Sequence, residues 1–498
     1  MRWTTLLMVC LVFTSFAHAA TTSLQRADEL LAQLKSDPWE QRKDGSAIAW
    51  NEAYVLDALI DLYDATGDAK YLRQLVTRSD RVISHRDDKR GFADYTGRAH
   101  KRWSIDSKYT IATAALVSDA AEPTLWLVST TSANNHITSV SITRQGERFT
   151  LKATNPAWKR EESFTDLSID PNDARYFAKV INDPTPFPKP PPGSDGEHSQ
   201  LLRVEPVRED QKVLLPKEQT VKLKPQWDSH AGYVGIVYHP MLKLAQRVKK
   251  DPKLAELKPA ADRFIAAAEE SFADVLGHWR EGRKPDEGYY LSSMRGGATP
   301  FDGVCMPFNY QAKMACSELA LFELTNKPIY KEHALRIATL FKNRLEMKTS
   351  SAGELYVWKY WFEPMTVGWD ASAKISDHYP VMKPYLVSED SSHATLDIAM
   401  VIAMHDAGLI FDDTDLRRFA KTFLVNVARG DHAGLNAYVD GKAGNEQFES
   451  AAVFGWVPLA QVDADVLKAC RDIYLKRDKE DFKSLARLVL WEKRIETK

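Results

Sequence analysis

The sequence predicts a mainly α protein, an (α/α)6 toroid of helical hairpins with a small β-containing inserted domain. Three observations carry this. A two-helix unit recurs five times, one unpaired helix stands at each end of the array, and residues from about 100 to 226 break the helical pattern with short alternating segments. Repeats that bury a face only against their neighbours build solenoids or closed rings. The two terminal helices, if paired, supply a sixth hairpin and favour closure.

The chain opens with Arg2, an apolar run from Leu6 to Phe16, and Ala17-His18-Ala19. That order is a secretory signal with cleavage after Ala19, and the run is too short to span a bilayer. Residues 1–19 are therefore assigned to a signal peptide, and the mature chain to the periplasm or the exterior. No later segment is long and apolar enough for a membrane helix. The rest divides into a first part of the toroid at 20–110, an inserted β-rich domain at 111–226, and the remainder of the toroid at 227–498.

The first hairpin starts at Asn51-Glu52-Ala53-Tyr54. Val55, Leu56, Leu59, Ile60, Leu62 and Tyr63 recur at helical spacing. Gly67 ends this helix and Asp68 caps the next, at 71–84. The unit returns at Ser229-His230-Ala231-Gly232, with helices near 232–248 and 257–280. It returns at Phe308-Asn309-Tyr310-Gln311, with helices near 310–324 and 328–346 around the turn Thr325-Asn326-Lys327-Pro328. It returns at Asp390-Ser391-Ser392-His393, with helices near 392–407 and 413–429, Gly408 as the stop and Asp412 or Asp413 as the cap. The fifth copy runs from Asn445-Glu446-Gln447 through Trp456 to a partner near 463–476. The unpaired helices lie near 23–35 and 480–492. In the insert, Leu125 to Val128, His136 to Thr143 and Phe149 to Ala153 alternate as strands do. Phe187-Pro188-Lys189-Pro190-Pro191-Pro192-Gly193 is a break, and Val213 to Leu215 and Thr220 to Leu223 are further short strands.

The balance of 66 basic and 68 acidic residues leaves no basic surface excess of the kind nucleic acid requires. After cleavage three cysteines remain, Cys305, Cys316 and Cys470. They form neither a disulfide framework nor a CxxC metal motif; Cys305 and Cys316 either pair or stay as buried thiols. Arg295-Gly296-Gly297-Ala298 lacks the strand and the Lys-Ser/Thr of a phosphate loop, so no cofactor is predicted. The His/Asp groups at 377–378 and 390–393 are not at a recognised ligand spacing, so no metal is predicted.

Candidate chemistry gathers at the starts of the first helices. Asn51 and Glu52, Ser229 and His230, Asn309 and Gln311, Asp390 and His393, and Asn445 and Glu446 occupy equivalent places. Each taken singly reads as an ordinary cap. In register, they converge on one mouth where helix N-termini favour anionic groups. The stretch 356–397 is richest: Tyr356, Trp358, Tyr360, Trp361 and Trp369, then His378-Tyr379-Pro380, then Glu389 to His393. Aromatic rings stack on sugar faces, although packing the core is the commoner fate of any one of them.

Two resemblances follow from these residues. The hairpin repeat, Ala65-Thr66-Gly67-Asp68-Ala69-Lys70-Tyr71-Leu72 and the loop aromatics resemble the α/α-toroid carbohydrate-active superfamily: six-hairpin glycosidases with related polysaccharide lyases and uronyl C5-epimerases. Trp103 and Tyr109, followed after the insert by His230-Ala231-Gly232, look like one segment of that superfamily split by the insertion. In the insert, Asn134 to Ile142, Glu162 to Asp170 and Arg175 to Asn182 resemble a module of contractile phage tail sheath proteins.

The first resemblance implies a polysaccharide or oligosaccharide partner. Removal of a uronate C5 proton, by a lyase or an epimerase, needs a base and an acid. His393, Tyr379 and His230 are the candidates, with Asn309 or Arg295 on the carboxylate. A glycoside hydrolase would pair Glu389 or Asp390 with Glu52, Asp370 or Glu446. A non-catalytic glycan-binding or assembly protein is the third reading. Substrate contacts are expected from Asn51, Glu52, Asn309, Tyr310, Trp358, Trp369, Asn445 and Glu446.

Overall fold

The computed structural model describes residues 23–34, 44–105, 110–130, 135–183, 197–207, 213–299, 301–430, 432–444 and 452–497. The expected signal segment with its cleavage point after Ala19, Tyr109, the proline-rich stretch 187–193, and Asn445 and Glu446 lie outside them.

Besides short helices at Asp87–Arg90 and Phe177–Ile181, the described α-helices are α1 (23–33), α2 (Ala53–Thr66), α3 (Lys70–Ser84), α4 (Gly232–Lys250), α5 (Lys258–Val275), α6 (Phe308–Thr325), α7 (Pro328–Lys342), α8 (Ala394–Asp406), α9 (Asp413–Lys421), α10 (Val453–Trp456), α11 (Ala464–Leu475) and α12 (Phe482–Glu496). Turn chemistry explains their ends. Gly67 takes φ 73° and returns its N–H to the Tyr63 carbonyl, while the Asp68 carboxylate accepts from the Lys70 amide at 2.8 Å. Asn326 takes φ 58° and Pro328 opens α7, because a left-handed residue ends a helix and proline suits its first turn. Of the two caps expected for α9, Asp412 serves, in a reciprocal capping box with Asp415.

Helix α2 packs on α4, α4 on α6, α6 on α8, α8 on α10, α10 on α12, and α12 returns to α2. Helix α6 is buried on all sides from Phe308 to Leu321, as a helix surrounded by others must be. Its approach to α4 is close. A Cβ at Gly235 would lie 2.5 Å from the Met314 amide nitrogen, and the Ser317 hydroxyl donates to the Gly235 carbonyl at 2.7 Å. One hydrophobic core joins Ala27 to Ile105 with Ala231 to Trp491. No described helix is long and apolar enough to cross a membrane.

The β structure is larger than the sequence suggested. In chain order the strands are β1 (Ser104–Ile105), β2 (Ala112–Val117), β3 (Pro123–Ser129), β4 (Ser139–Gln145), β5 (Arg148–Asn155), β6 (Arg160–Leu167), β7 (Leu202–Pro206), β8 (Gln219–Lys222), β9 (Lys224–Pro225), β10 (Asp228–Ser229), β11 (Trp279–Glu281), β12 (Gly288–Tyr290), β13 (Glu346–Ser350) and β14 (Gly353–Val357). Two four-stranded antiparallel sheets, ordered β7-β3-β2-β9 and β6-β5-β4-β8, enclose a second core containing Leu116, Leu125, Val140, Ile142, Phe149 and Leu151. Strands β1 and β10 pair Ser104 with Ser229 and Ile105 with Asp228, so the chain leaves the helices and rejoins them at one place. The hairpins β11–β12 and β13–β14 lie outside the insert.

The fold class is therefore corrected. With 48% helix, 19% strand and five sheets, this is a mixed α/β protein and not the mainly-α toroid expected. The physical reason lies partly in the hairpins β11–β12 and β13–β14, whose strands of three to five residues carry too little periodicity to be separated from loops, and partly in insert strands of six to eight residues that run longer than their sequence pattern showed. Residues 213–215, expected as a strand, are irregular.

Two outcomes are expected. Gly235→Ala should destabilise the chain by about 1–3 kcal/mol through overpacking of α4 against α6, read as a lower urea midpoint. Joining Ile105 to Asp228 through Asn-Gly, which favours a tight antiparallel turn, should leave the helices and their core folded. Circular dichroism should then show one cooperative helical transition; its loss would mean that the helical core depends on the two insert sheets.

Candidate functional site

The residues Glu389 to His393 form the best-defined constellation. They run as an extended segment clamped on both sides. The Glu389 amide donates to the Trp358 carbonyl at 3.0 Å, and on the other side the Ser391 amide donates to Ala437 at 2.8 Å and the Val439 amide to Glu389 at 3.0 Å. The segment then enters α8. Asp390 accepts from the Ser392 amide at 3.0 Å and the His393 amide at 2.9 Å, and its other oxygen lies 2.5 Å from His393 Nδ1. Burial works against the charge on Asp390, but the hydrogen bonds and charge of His393 and the Ser392 hydroxyl hold its carboxyl below the usual range. Asp390 engages the ring through Nδ1, so Nε2 is the ring nitrogen left for a ligand. No described residue hydrogen-bonds that Nε2.

Around His393 the aromatic side chains meet. Its ring lies 5.5 Å from Trp50 and 5.7 Å from Tyr360; Trp50 lies 5.5 Å from Tyr310, and Tyr310 lies 4.7 Å from His230. These residues come from the turn before α2, the loop after β14, and the starts of α4, α6 and α8. Tyr360 continues through Trp361 and Phe301 to Tyr379.

His230 is kept neutral. Burial, helped by the charge of Arg102 and by His278, pushes it down to about 3, and its Nδ1 accepts from the Gly232 amide at 3.1 Å. Tyr379 is buried, which raises its phenol, and its hydroxyl donates to the Thr130 carbonyl of the insert at 3.3 Å. Its loop is gathered by the buried Asp302, which accepts from the Asp377 amide at 2.9 Å and from the Ser376 hydroxyl. Thus His393, Glu389 and Asp390 are brought together, and His230 and Tyr379 reach them only through intervening rings.

The other expected residues have these places. Asn309 is buried; its oxygen accepts from the Tyr310 amide at 2.8 Å and its Nδ2 has no partner among the described residues. Glu52 is buried and held by Arg78 at 2.7 and 2.9 Å. Asn51 is exposed. Trp358 is fully buried, its indole donating to Asp397 at 2.9 Å, and Trp369 donates to the Tyr379 carbonyl at 2.8 Å. Arg295 pairs with Asp377 at 2.6 Å on the surface, and Asp370 caps the turn Ala371–Ala373. The cysteines 305, 316 and 470 are free, buried thiols.

Sequence reasoning missed Asp397 and Trp50. Asp397 is fully buried one turn beyond His393 and stands beside Glu389, with Glu389 Oε2 and Asp397 Oδ1 both lacking a partner among the described residues. Burial, then the Asp397 and Asp390 charges, raise Glu389 well above the usual range, and burial raises Asp397 likewise. Two buried carboxyls side by side, each raised by its surroundings, favour a protonated form over a pair of carboxylates. A lone Asp inside the apolar run of α8 was the available signal. Glu389, Asp390 and His393 also present one donor atom each within 4.8 Å of one another, but Asp390 and His393 are already engaged with each other.

No protein-family model matches the chain, and no match is found among curated proteins. Nothing here identifies the carbohydrate-active toroid superfamily or the tail sheath module, and both resemblances are withdrawn. The stretch Ala65 to Leu72 is accounted for by its left-handed glycine and aspartate turn alone, a device open to any helical hairpin.

The buried pair sets a pH dependence. A carboxyl with a raised folded pKa binds its proton more tightly when folded. Its contribution is present below the ordinary carboxylate range near 4 and is lost as pH rises through the raised value. Asp397→Asn, which keeps an acceptor for Trp358, should lose less melting temperature than the wild type between pH 5 and pH 9. An equal loss would show that no proton is held there.

Proposed function

We propose that this is an exported enzyme that removes the C5 proton of a uronate residue in an extracellular polysaccharide, as a lyase or an epimerase. The observation that carries the reading is the Asp390–His393 dyad, Nδ1 to carboxylate at 2.5 Å, set among Trp50, Tyr310 and Tyr360. Export rests on the leader features of residues 2–19.

In this reading His393 Nε2 takes the proton, and Asp390 orients the ring and stabilises the imidazolium that forms. Tyr360, the phenol-bearing ring beside His393, is assigned as the proton donor, to the leaving oxygen in a lyase or to the opposite face of C5 in an epimerase. Asn309 Nδ2 and neutral His230 are assigned to the substrate carboxylate. Trp50 and Tyr310 offer the faces on which a sugar ring stacks. The hydrolase alternative needs two carboxyls on either side of a sugar ring, roughly 5–9.5 Å apart. Glu389 and Asp397 instead stand beside each other fully buried, and Glu52 is occupied by Arg78, so the described carboxyls favour proton abstraction.

The test is to incubate the mature chain with uronate-containing and neutral polysaccharides in heavy water. Ultraviolet absorbance of an unsaturated uronate, C5 deuterium uptake and reducing ends are followed together. Absorbance assigns a lyase, and exchange without absorbance an epimerase. His393→Gln should lower the rate about 10²–10⁴-fold, with Asp390→Asn lowering kcat more than it changes KM. Reducing ends alone, or binding with no product, would overturn the reading in favour of a hydrolase or a glycan-binding protein.

A further inference from the structure

A cavity of about 360 Å³ runs between α2, α4, α6, α8, α10 and α12. Its lining is mixed. Leu319, Ala399, Ile402 and Pro458 supply apolar lining, and Asp57, His239, Lys243 and Lys313 supply charged and polar lining. Tyr54 also lines it, and the Tyr54 phenol is raised first by burial and then by the charges of Asp57 and Asp390. It thus lies beneath the Asp390–His393 site without being part of it.

The charges at its inner end do not balance locally. Asp61 is taken by Arg487 at 2.5 Å and Asp64 by Arg247 at 2.7 Å. Asp57 remains for two lysines. Lys243 holds it at 2.9 Å, whereas Lys313 lies 3.8 Å from it. Lys313 Nζ is instead 2.6 Å from His239 Nδ1, and the residue is only 4% exposed. Lys313 thus has one counter-ion, which it shares with Lys243, and its nearest partner is an uncharged imidazole rather than a carboxylate, so its charge is incompletely compensated. Burial lowers Lys313 accordingly and leaves His239 neutral. Cys316 lines the same cavity, but burial raises its thiol to about 11, which keeps it protonated and unreactive.

We infer that this cavity is a carbonyl-binding site in which the Lys313 amine forms an imine with a small aldehyde or ketone. The Nζ lone pair adds to the carbonyl carbon, and the carbonyl oxygen takes a proton, giving a carbinolamine. Loss of the hydroxyl as water and of one nitrogen proton leaves the C=N bond, so that amine and carbonyl compound yield imine and one water. His239, bonded to the same nitrogen, receives and returns the proton that moves. The apolar lining takes the carbon chain of the ligand. The inference does not rest on the polysaccharide reading.

The probe is propanal with cyanoborohydride at pH 7, applied to the full mature chain and followed by peptide mass mapping. An ordinary lysine is almost wholly protonated at that pH, and each unit of lowering frees roughly ten times more amine. Lys313 should therefore be alkylated faster than the exposed lysines. Lys313→Arg should abolish that fast event and leave the slow labelling unchanged. Because the comparison within the wild type needs no variant, it stands even if the substitution unfolds the chain. Labelling of Lys313 no faster than surface lysines, or only after denaturation in urea, would overturn the inference and make Lys313 a structural ammonium.

Discussion

Two serine hydroxyls on one buried carboxylate hold the molecule in register. Ser104 and Ser229 face each other in the β1–β10 ladder, and both donate to Asp87, at 2.6 and 3.1 Å, while Arg90 neutralises it at 2.6 Å. On one side of this knot Trp103 is fully buried, its indole bound to the Val82 carbonyl at 3.1 Å, and Ser104 accepts from the Gly45 amide at 2.6 Å. On the other side the chain passes directly into His230 and α4. Tyr233 then donates to Ser46 at 3.1 Å. The turn bearing Trp50 is thereby set against the start of α4, and Trp50, Tyr310 and His230 meet because the insert closes where it does.

Much of the helical pairing was legible because its punctuation is local. Gly67, Asn326 with Pro328, and Gly408 each end a helix by a backbone rule that needs no tertiary contact. The hairpins β11–β12 and β13–β14 were not legible, since they are held from elsewhere. The Tyr290 amide donates to Gln311 at 2.9 Å and the Tyr356 amide to Thr422 at 3.1 Å. Glu389, Asp390 and His393 are neighbours in sequence, so their grouping could be read. The partners of Tyr379 and Glu389 could not. Thr130 lies 249 residues from Tyr379, and Asp397, although conspicuous as a lone acid in an apolar run, does not name its partner in the sequence. The family resemblances failed for a related reason. Hairpin turns and small-residue helices are general solutions to packing and carry no chemistry of their own.

Helix α2 shows how the helices are specified against one another. Glu52, Asp57, Asp61 and Asp64 meet Arg78 from α3, Lys243 and Arg247 from α4, and Arg487 from α12. Removing one member of such a buried pair leaves an uncompensated charge and costs about 3–5 kcal/mol, far more than the intact pair contributes. The ladder therefore selects one rotation and one depth for α2, which an apolar surface alone would leave loosely determined. Because Trp50 and Tyr54 are carried at the start of this helix, the same ladder fixes the aromatic mouth and the roof of the cavity beneath it.

The distances of these partners along the chain bear on how the protein is made. Asp61 and Arg487 are 426 residues apart, and Asp87 and Ser229 are 142 apart. At synthesis rates of roughly 5–20 residues per second, Asp61 emerges on the order of a minute before its partner. Glu52, Asp57 and Asp64 meet their partners earlier, so Asp61 is the acid of this ladder that waits longest. The last rung of the ladder therefore closes only when α12 has been made, and the ring of helix contacts that runs from α2 back to α12 closes with it.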